Sequence, residues 1–197
     1  MPYAAFNEDW DLLLKFLSIK GNPKYIIIGD VYLRYREDIS DLGNLVGVIG
    51  RLWLGTSSIE SLGELEFVDD ILSLYECKNI KTLGKLKKVE GDLDLRRSSI
   101  ETLSELEYVG DNLSLSHCEN IKTLGKLKKV GDTLNLSYSN VESFGELKEV
   151  NTNLYLSYSE IKSLGKLEYV GDDLWIENTK IPPSELDNIE VVGNIYR

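Results

Sequence analysis

The sequence predicts a β-rich α/β solenoid, a chain that coils into stacked turns of 20 or 21 residues. The main observation is a pair of aliphatic residues, separated by one position, that recurs at this interval. The pairs are Val31/Leu33, Leu52/Leu54, Leu72/Leu74, Leu93/Leu95, Leu113/Leu115, Leu134/Leu136, Leu154/Leu156 and Leu174/Ile176. A further aliphatic residue and a segment such as "TLGKLKKV" follow most pairs. Because stacking buries these side chains for about 1.5–3 kcal/mol each, the turns are expected to form one continuous column.

The N-terminal segment differs from the repeats and is expected to cover the open end of the column. "NEDWDLLLKFLSIKGNP" predicts a helix that is capped at Asn7 and stops between Gly21 and Pro23. Its apolar face is expected to comprise Trp10, Leu13, Leu14 and Leu17. This cap occupies residues 1–23 of the predicted architecture.

The repeats themselves extend over residues 24–181 and a C-terminal cap over residues 182–197. Pro182 and Pro183 interrupt the repeat pattern at this boundary, and a last short strand is expected around Ile195. No change in composition marks a linker, so residues 1–197 are expected to form a single domain.

This repeat resembles the leucine-rich repeat family, whose pattern is L-x-x-L-x-L-x-x-(N or C)-x-L over about 20–29 residues. The similarity covers residues 31–181 and is greatest to the short bacterial type of about 20–21 residues per repeat. Four positions rather than three separate Val109 from Leu113, and Ser replaces the usual Asn at Ser57. The resemblance implies an arc with a parallel concave β-sheet of about eight or nine short strands, and a partner bound on that sheet.

The two cysteines occupy equivalent repeat positions. Cys77 and Cys118 lie 41 residues apart, each three positions after the second leucine of a pair. A disulfide, a metal pair and a buried repeat position are the candidate explanations. At a strand spacing of about 4.8 Å, two turns separate these residues by about 10 Å, beyond the ~7 Å Cα limit for a disulfide. We therefore expect two buried structural thiols.

The charged residues alternate in sign from turn to turn. Immediately after the aliphatic residue that follows each strand lie Glu60, Lys81, Glu101, Lys122, Glu142 and Lys162. A basic patch for nucleic acid is one interpretation of segments such as "KLKK". Because each Lys would have Glu neighbours about 5 Å away, we favour a ladder that sets the register of the turns.

Composition argues against several functional classes. The 33 acidic and 22 basic residues give a formal net charge of −11, which disfavours duplex nucleic acid as a partner. No apolar run approaches the ~20 residues that a membrane helix needs. The first residues lack the basic region of a secretory signal, so we expect a cytoplasmic chain that does not bind membranes.

Motifs for catalysis are missing from the sequence. We find no phosphate-binding glycine loop, no Cys/His metal set and no nucleophile elbow, and His117 is the single histidine. The chain is therefore expected to be neither an enzyme nor dependent on a metal or cofactor. Its function should lie in a surface.

The candidate surface consists of residues between and just after the strand leucines, which point away from the core. The candidate partner-binding residues are Trp53, Tyr75, Arg96, Arg97, His117, Tyr138, Tyr155, Tyr158 and Trp175. Aromatic residues on strands can simply stack on their cross-strand neighbours. Tyr, Trp and Arg are also the residues most enriched at binding hot spots, which favours a partner surface.

Two functions follow from this surface. The first is a non-catalytic protein-binding module, acting as an adaptor or as an inhibitor of a bacterial enzyme or defence factor. The alternative is a binder of a small phosphate-bearing ligand or nucleotide, held by Arg96, Arg97 and His117 with a tyrosine stacked on its base.

Overall fold

The chain forms a parallel β-solenoid of about eight turns with a helix at its N-terminal end. The computed structural model describes residues 9–197 and the backbone of residues 3–5. Each turn adds one short strand to each of two parallel sheets. No helix in the described part of the chain is both long and apolar enough to span a bilayer.

The first sheet has ten strands and the second sheet has nine. The strands of the first sheet are β1 (Tyr3–Ala5), β2 (Tyr25–Ile28), β4 (Leu45–Ile49), β6 (Phe67–Val68), β8 (Lys88–Val89), β10 (Tyr108–Val109), β12 (Lys129–Val130), β14 (Glu149–Val150), β16 (Tyr169–Val170) and β18 (Glu190–Val191). The strands of the second sheet are β3 (Val31–Tyr32), β5 (Leu52–Trp53), β7 (Leu72–Ser73), β9 (Leu93–Asp94), β11 (Leu113–Ser114), β13 (Leu134–Asn135), β15 (Leu154–Tyr155), β17 (Leu174–Trp175) and β19 (Ile195–Tyr196).

The second sheet is the predicted one, since eight of its strands carry the recurring aliphatic pair, and its nine strands agree with the expected number. The first sheet was not predicted. Most of its strands are two residues long with a single buried valine, as in Lys88–Val89, so no alternation of polar and apolar residues indicates a strand. The last strand at Ile195–Tyr196 confirms the strand expected there, and a 3₁₀ helix at Pro183–Asn188 precedes it.

Helix α1 (Trp10–Ile19) covers the N-terminal end of the core. Trp10, Leu13 and Leu17 are buried, as predicted, because residues three and four positions apart share one helix face. Leu14 differs from the prediction, since 42% of its surface is exposed. It lies about 100° around the helix from Leu13, at the margin of the buried stripe.

The helix begins at Trp10 and is capped by Asp9, whose Oδ1 accepts a hydrogen bond of 3.0 Å from the Leu12 amide. Asn7, the predicted cap, lies outside the described residues. An aspartate at this position satisfies one of the free amides of the first turn and places a negative charge at the positive end of the helix dipole.

The hydrophobic core is a column of aliphatic side chains enclosed by the turns. One turn contributes Leu52, Leu54, Ile59, Leu62, Leu65 and Val68, each at most 2% exposed. Neighbouring turns repeat this set in register, so that Leu72 pairs with both Leu52 and Leu93. The core therefore consists of stacked equivalent residues, and each turn is stabilised by those on either side of it.

Both cysteines are free and fully buried, which confirms the prediction of structural thiols. The Cys77 thiol donates to the Leu54 carbonyl oxygen at 3.2 Å, and the Cys118 thiol donates to the Leu95 carbonyl oxygen at 3.0 Å. Burial raises the pKa of both thiols above the ordinary value. These groups are therefore neutral donors that satisfy a carbonyl oxygen of the preceding turn.

We expect neither thiol of the native protein to react with a water-soluble disulfide reagent, because reaction requires an exposed thiolate. Both should react once the chain is unfolded in denaturant. The absorbance of the released reagent measures this directly. Fast labelling of the native protein, or an internal disulfide within a native fold, would contradict the assignment.

Salt bridges between neighbouring turns confirm the predicted alternation of charge. Pairs with N–O distances of 2.5–2.8 Å include Lys85–Glu64, Lys87–Glu66, Lys126–Glu105, Lys128–Glu107, Lys162–Glu142 and Lys166–Glu146. Hydrogen bonds from Lys24 and then Lys85 lower the pKa of Glu64 to about 2. Since these side chains lie at the surface, their main effect is on register rather than on total stability.

Reversal of one charge in this ladder should lower the melting temperature. Glu142 pairs with both Lys122 and Lys162, so Glu142→Lys would place three like charges on consecutive turns. The loss should shrink in about 1 M salt, where the Debye length is about 3 Å. Thermal denaturation at low and high salt is the measurement, with Glu177→Lys as a control because Glu177 forms no salt bridge within the described residues. An equal decrease in melting temperature for the two variants would argue against a stabilising role of the charge ladder.

Candidate functional site

The outer face of the second sheet, together with the turns that directly follow its strands, carries all the predicted site residues. Successive side chains of a strand point to opposite faces, so the residue between two buried leucines points outward. We call these residues the middle column: Tyr32, Trp53, Ser73, Asp94, Ser114, Asn135, Tyr155, Trp175 and Tyr196. The second column follows the second leucine: Arg34, Gly55, Tyr75, Arg96, Ser116, Ser137, Ser157 and Glu177. The rim column comes next: Tyr35, Thr56, Glu76, Arg97, His117, Tyr138, Tyr158 and Asn178.

Three aromatic rings of the middle column form a continuous stack, the middle stack. The rings of Tyr155 and Trp175 are 4.2 Å apart and inclined by 16°, and those of Trp175 and Tyr196 are 4.9 Å apart and inclined by 11°. Strand pairing sets these distances, since Tyr155 is in register with Trp175 and Trp175 with Tyr196. Tyr196 was not among the predicted residues. Its strand was expected around Ile195, and the four-residue spacing from Val191 to Ile195, as from Val109 to Leu113, is the signal that could have placed Tyr196 in this column.

A second stack, the rim stack, consists of His117, Tyr138 and Tyr158. Its ring centroids are 5.0 and 4.9 Å apart and its planes differ by 3° and 2°. Cross-strand stacking of the aromatic residues, one of the two interpretations of the sequence, is thus present. Within each stack the ring faces cover one another. Tyr138 and Tyr158 remain about half exposed, at 51% and 50%.

The N-terminal half of the outer face contains cation–π pairs instead of aromatic stacks. The Arg34 guanidinium lies 4.2 Å from the centre of the Trp53 ring, and that of Arg96 lies 5.4 Å from the centre of the Tyr75 ring. Arg96 also donates to both carboxylate oxygens of Asp94, at 2.9 and 2.8 Å. Asp94 therefore neutralises the arginine that was the central residue of the phosphate hypothesis.

The three residues proposed to hold a phosphate do not share one depression. Arg97 and His117 line a depression of ≈ 280 Å³, together with Lys78 and the carboxylates of Glu76 and Glu119. Arg96 lines two other depressions along the sheet. The two carboxylates oppose an anionic ligand between Arg97 and His117. Among residues 9–197, no cluster of three or more metal-ligating side chains is present.

Every rim residue has a left-handed backbone conformation, and none of them is glycine. Their φ angles lie between 54° and 61° at Tyr35, Thr56, Glu76, Arg97, His117, Tyr138, Tyr158 and Asn178. This conformation brings Cβ close to the following carbonyl oxygen and costs roughly 1–2 kcal/mol for most residues. Thr56 is the most unfavourable case, because its Cβ is branched.

A second left-handed column in the same turns provides an internal comparison. It lies in the "LG" segments and is occupied by Gly43, Gly63, Gly84, Gly125, Gly145 and Gly165, with Ser104 as the exception. At Gly84 and Gly125 a Cβ would meet nothing within 4 Å, so the backbone conformation alone accounts for the glycine. The chain thus has glycine at the "LG" positions, where the left-handed backbone is the only requirement. At the rim positions it has larger residues despite the strain of the same conformation. Such retained strain is typical of functional positions.

Comparisons with known proteins add no identification, since no family model, curated protein or solved structure matches the chain. A functional assignment therefore rests on the geometry of the outer face.

The cost of the rim conformation can be measured with a matched pair of variants. Thr56→Gly should raise stability by up to about 1 kcal/mol, since the relieved strain exceeds the added entropy of the unfolded chain. Gly125→Ala should lower it by about 1 kcal/mol, because alanine is strained at the same φ. Urea denaturation measures both values. A destabilised Thr56→Gly variant would show that the rim column carries no strain.

Proposed function

We propose that the protein is a non-catalytic binding module that holds a partner protein on the outer face of its second sheet. The observation that carries this proposal is the rim column, where eight consecutive turns keep a side chain in a left-handed conformation. Burial in the core does not account for these side chains, since Tyr35, Thr56, Arg97, His117, Tyr138 and Tyr158 are exposed, and the rim stack includes only three of the eight rim residues. Contact with a partner would account for these side chains.

The two aromatic stacks supply the anchors that such a contact needs. Tyr and Trp are enriched at binding hot spots because they bury a large area at a small cost in conformational entropy. Here stacking already restricts the rings before any partner arrives, which lowers the entropic cost of binding. Tyr155 and Tyr158 lie on one turn, so a partner could contact both stacks there.

The resemblance of the repeat to the leucine-rich repeat family supports the same proposal, because members of that family usually bind partners on the sheet formed by their leucine-containing strands. We propose that the chain is a divergent, short-repeat relative whose second sheet corresponds to that binding sheet. A cytoplasmic adaptor, or an inhibitor of a bacterial enzyme or defence factor, is the role that fits an acidic chain without catalytic motifs.

Binding of a phosphate-bearing ligand is the alternative. The depression at Arg97, Lys78 and His117 is the feature that favours it. Glu76 and Glu119 in the same depression oppose it, so we rank it below protein binding.

Truncation of the aromatic anchors should weaken partner binding. We expect Tyr155→Ala, Tyr158→Ala and Trp175→Ala each to cost roughly 1–4 kcal/mol of binding free energy. Affinity capture from native lysate identifies the partner, and calorimetry with the purified partner measures the loss. Tyr169→Ala is the matched control, because this half-buried tyrosine lies on the first sheet.

Two results would contradict the proposal. One is an equal affinity of all three outer-face variants and the wild type, with an intact fold shown by circular dichroism. The other is large losses confined to Arg97→Ala and His117→Ala with a nucleotide as the ligand, which would support the alternative.

A further inference from the structure

Gly55, in the second column of the outer face, is a glycine that the fold does not require. Of the 16 glycines in the chain, the other fifteen either have a positive φ or would place a Cβ within 3.0 Å of a neighbouring atom. Gly55 has neither property. A Cβ built there lies 3.4 Å from the Tyr75 carbonyl oxygen and 3.7 Å from Ser73 Oγ, which are ordinary contact distances. Gly55 lies in the turn that follows β5, and the equivalent turns carry Tyr75, Arg96 or Ser116 at this position, so the backbone accepts a side chain there. Glycine also permits close approach of another backbone or a ligand.

The missing side chain leaves a notch in the outer face. Gly55 and the small Ser73 line a depression of ≈ 340 Å³, which Arg34, Tyr75, Asp94 and Arg96 also line. Two guanidinium groups therefore border the space that a side chain at position 55 would fill. Each lies over an aromatic ring, which restricts its orientation.

The two guanidinium groups differ in what they can still bind. Arg96 already makes a bidentate contact with Asp94. Arg36 and Arg51 likewise pair with aspartates. Arg34 forms no ion pair within the described residues, yet the Trp53 ring holds it in place. The notch thus offers one pre-oriented guanidinium whose donors pair with no carboxylate of the described residues.

We propose that the notch binds an acidic peptide segment of the partner, with its backbone against Gly55 and an Asp or Glu carboxylate on Arg34. A carboxylate matches the planar fork of one guanidinium and carries a single charge. A phosphate dianion fits less well, because Asp94 already neutralises the second cation. This inference rests on the proposed function only in taking the occupant to be part of a protein.

A pair of synthetic peptides tests the notch without knowledge of the partner. The probes are a Gly-Glu repeat peptide and its Gly-Gln analogue, both acetylated and amidated so that only side chains carry charge. Titration followed by ¹H–¹⁵N NMR should show saturable shifts of the Gly55 amide and the Arg34 Nε–H with the Glu peptide alone. Added salt should weaken the effect.

Three variants complete the test. Arg34→Gln should lower the affinity for the Glu peptide about tenfold or more, because the substitution removes a charge-assisted bidentate contact. Gly55→Val should abolish binding while the melting temperature stays equal or rises, because the equivalent turns carry a side chain at this position, and Gly55→Ala should give an intermediate loss. Arg51→Gln is the control, since Arg51 does not line the notch and already pairs with Asp30, and it should leave the affinity unchanged.

Equal shifts with the Glu and Gln peptides, or unchanged affinity of Gly55→Val and Arg34→Gln, would overturn the inference. So would displacement of the Glu peptide by an equal concentration of inorganic phosphate. If the peptide fails while Trp175→Ala still weakens the captured partner, the notch inference is wrong and the proposed function stands. If the peptide binds but the aromatic variants bind the partner with wild-type affinity, the notch inference stands and the proposed function fails.

Discussion

The structure depends on the in-register stacking of inward aliphatic residues. Each turn buries the same positions as its neighbours, so Leu52, Leu72 and Leu93 lie directly over one another. Burial of this column requires every turn to repeat the previous one after a shift of one strand spacing, about 4.8 Å. That single shift also sets the spacing of the aromatic rings, the Lys–Glu pairs and the thiol–carbonyl contacts. The surface features of this protein therefore repeat with the same period as its core.

Periodicity makes exceptions informative. Since every turn imposes the same local requirements, a residue that does not suit its position stands out against equivalent positions in the same molecule. The rim column and Gly55 are opposite cases: side chains where glycine would be easier, and glycine where a side chain would fit. Both lie on the outer face of the second sheet. Neither improves the fold, which is why we connect this face with binding.

Features that repeat were predictable from the sequence, and features that depend on one local geometry were not. The nine-stranded sheet, buried Cys77 and Cys118 and the alternating salt bridges follow from the repeat period alone. The first sheet could not be predicted, because a two-residue strand has no periodicity of its own. The left-handed φ angles at Tyr138 and Thr56 could not be predicted, because this conformation is usually adopted by glycine or asparagine and rarely by Tyr or Thr. The pairing of Arg96 with Asp94 required side-chain geometry, and it weakens the phosphate hypothesis.

The alternation of charge also determines what counts as a repeat in this protein. Two successive turns are not equivalent, since one offers glutamates and the next offers lysines, and the cysteines return only after 41 residues. Removal of one turn would bring like charges together at the junction. Removal or insertion of two turns would preserve the alternation in the columns that run from Glu60 to Lys162 and from Glu64 to Lys166. The unit that can be duplicated or lost during evolution, and the unit for lengthening the solenoid by design, is therefore a pair of turns.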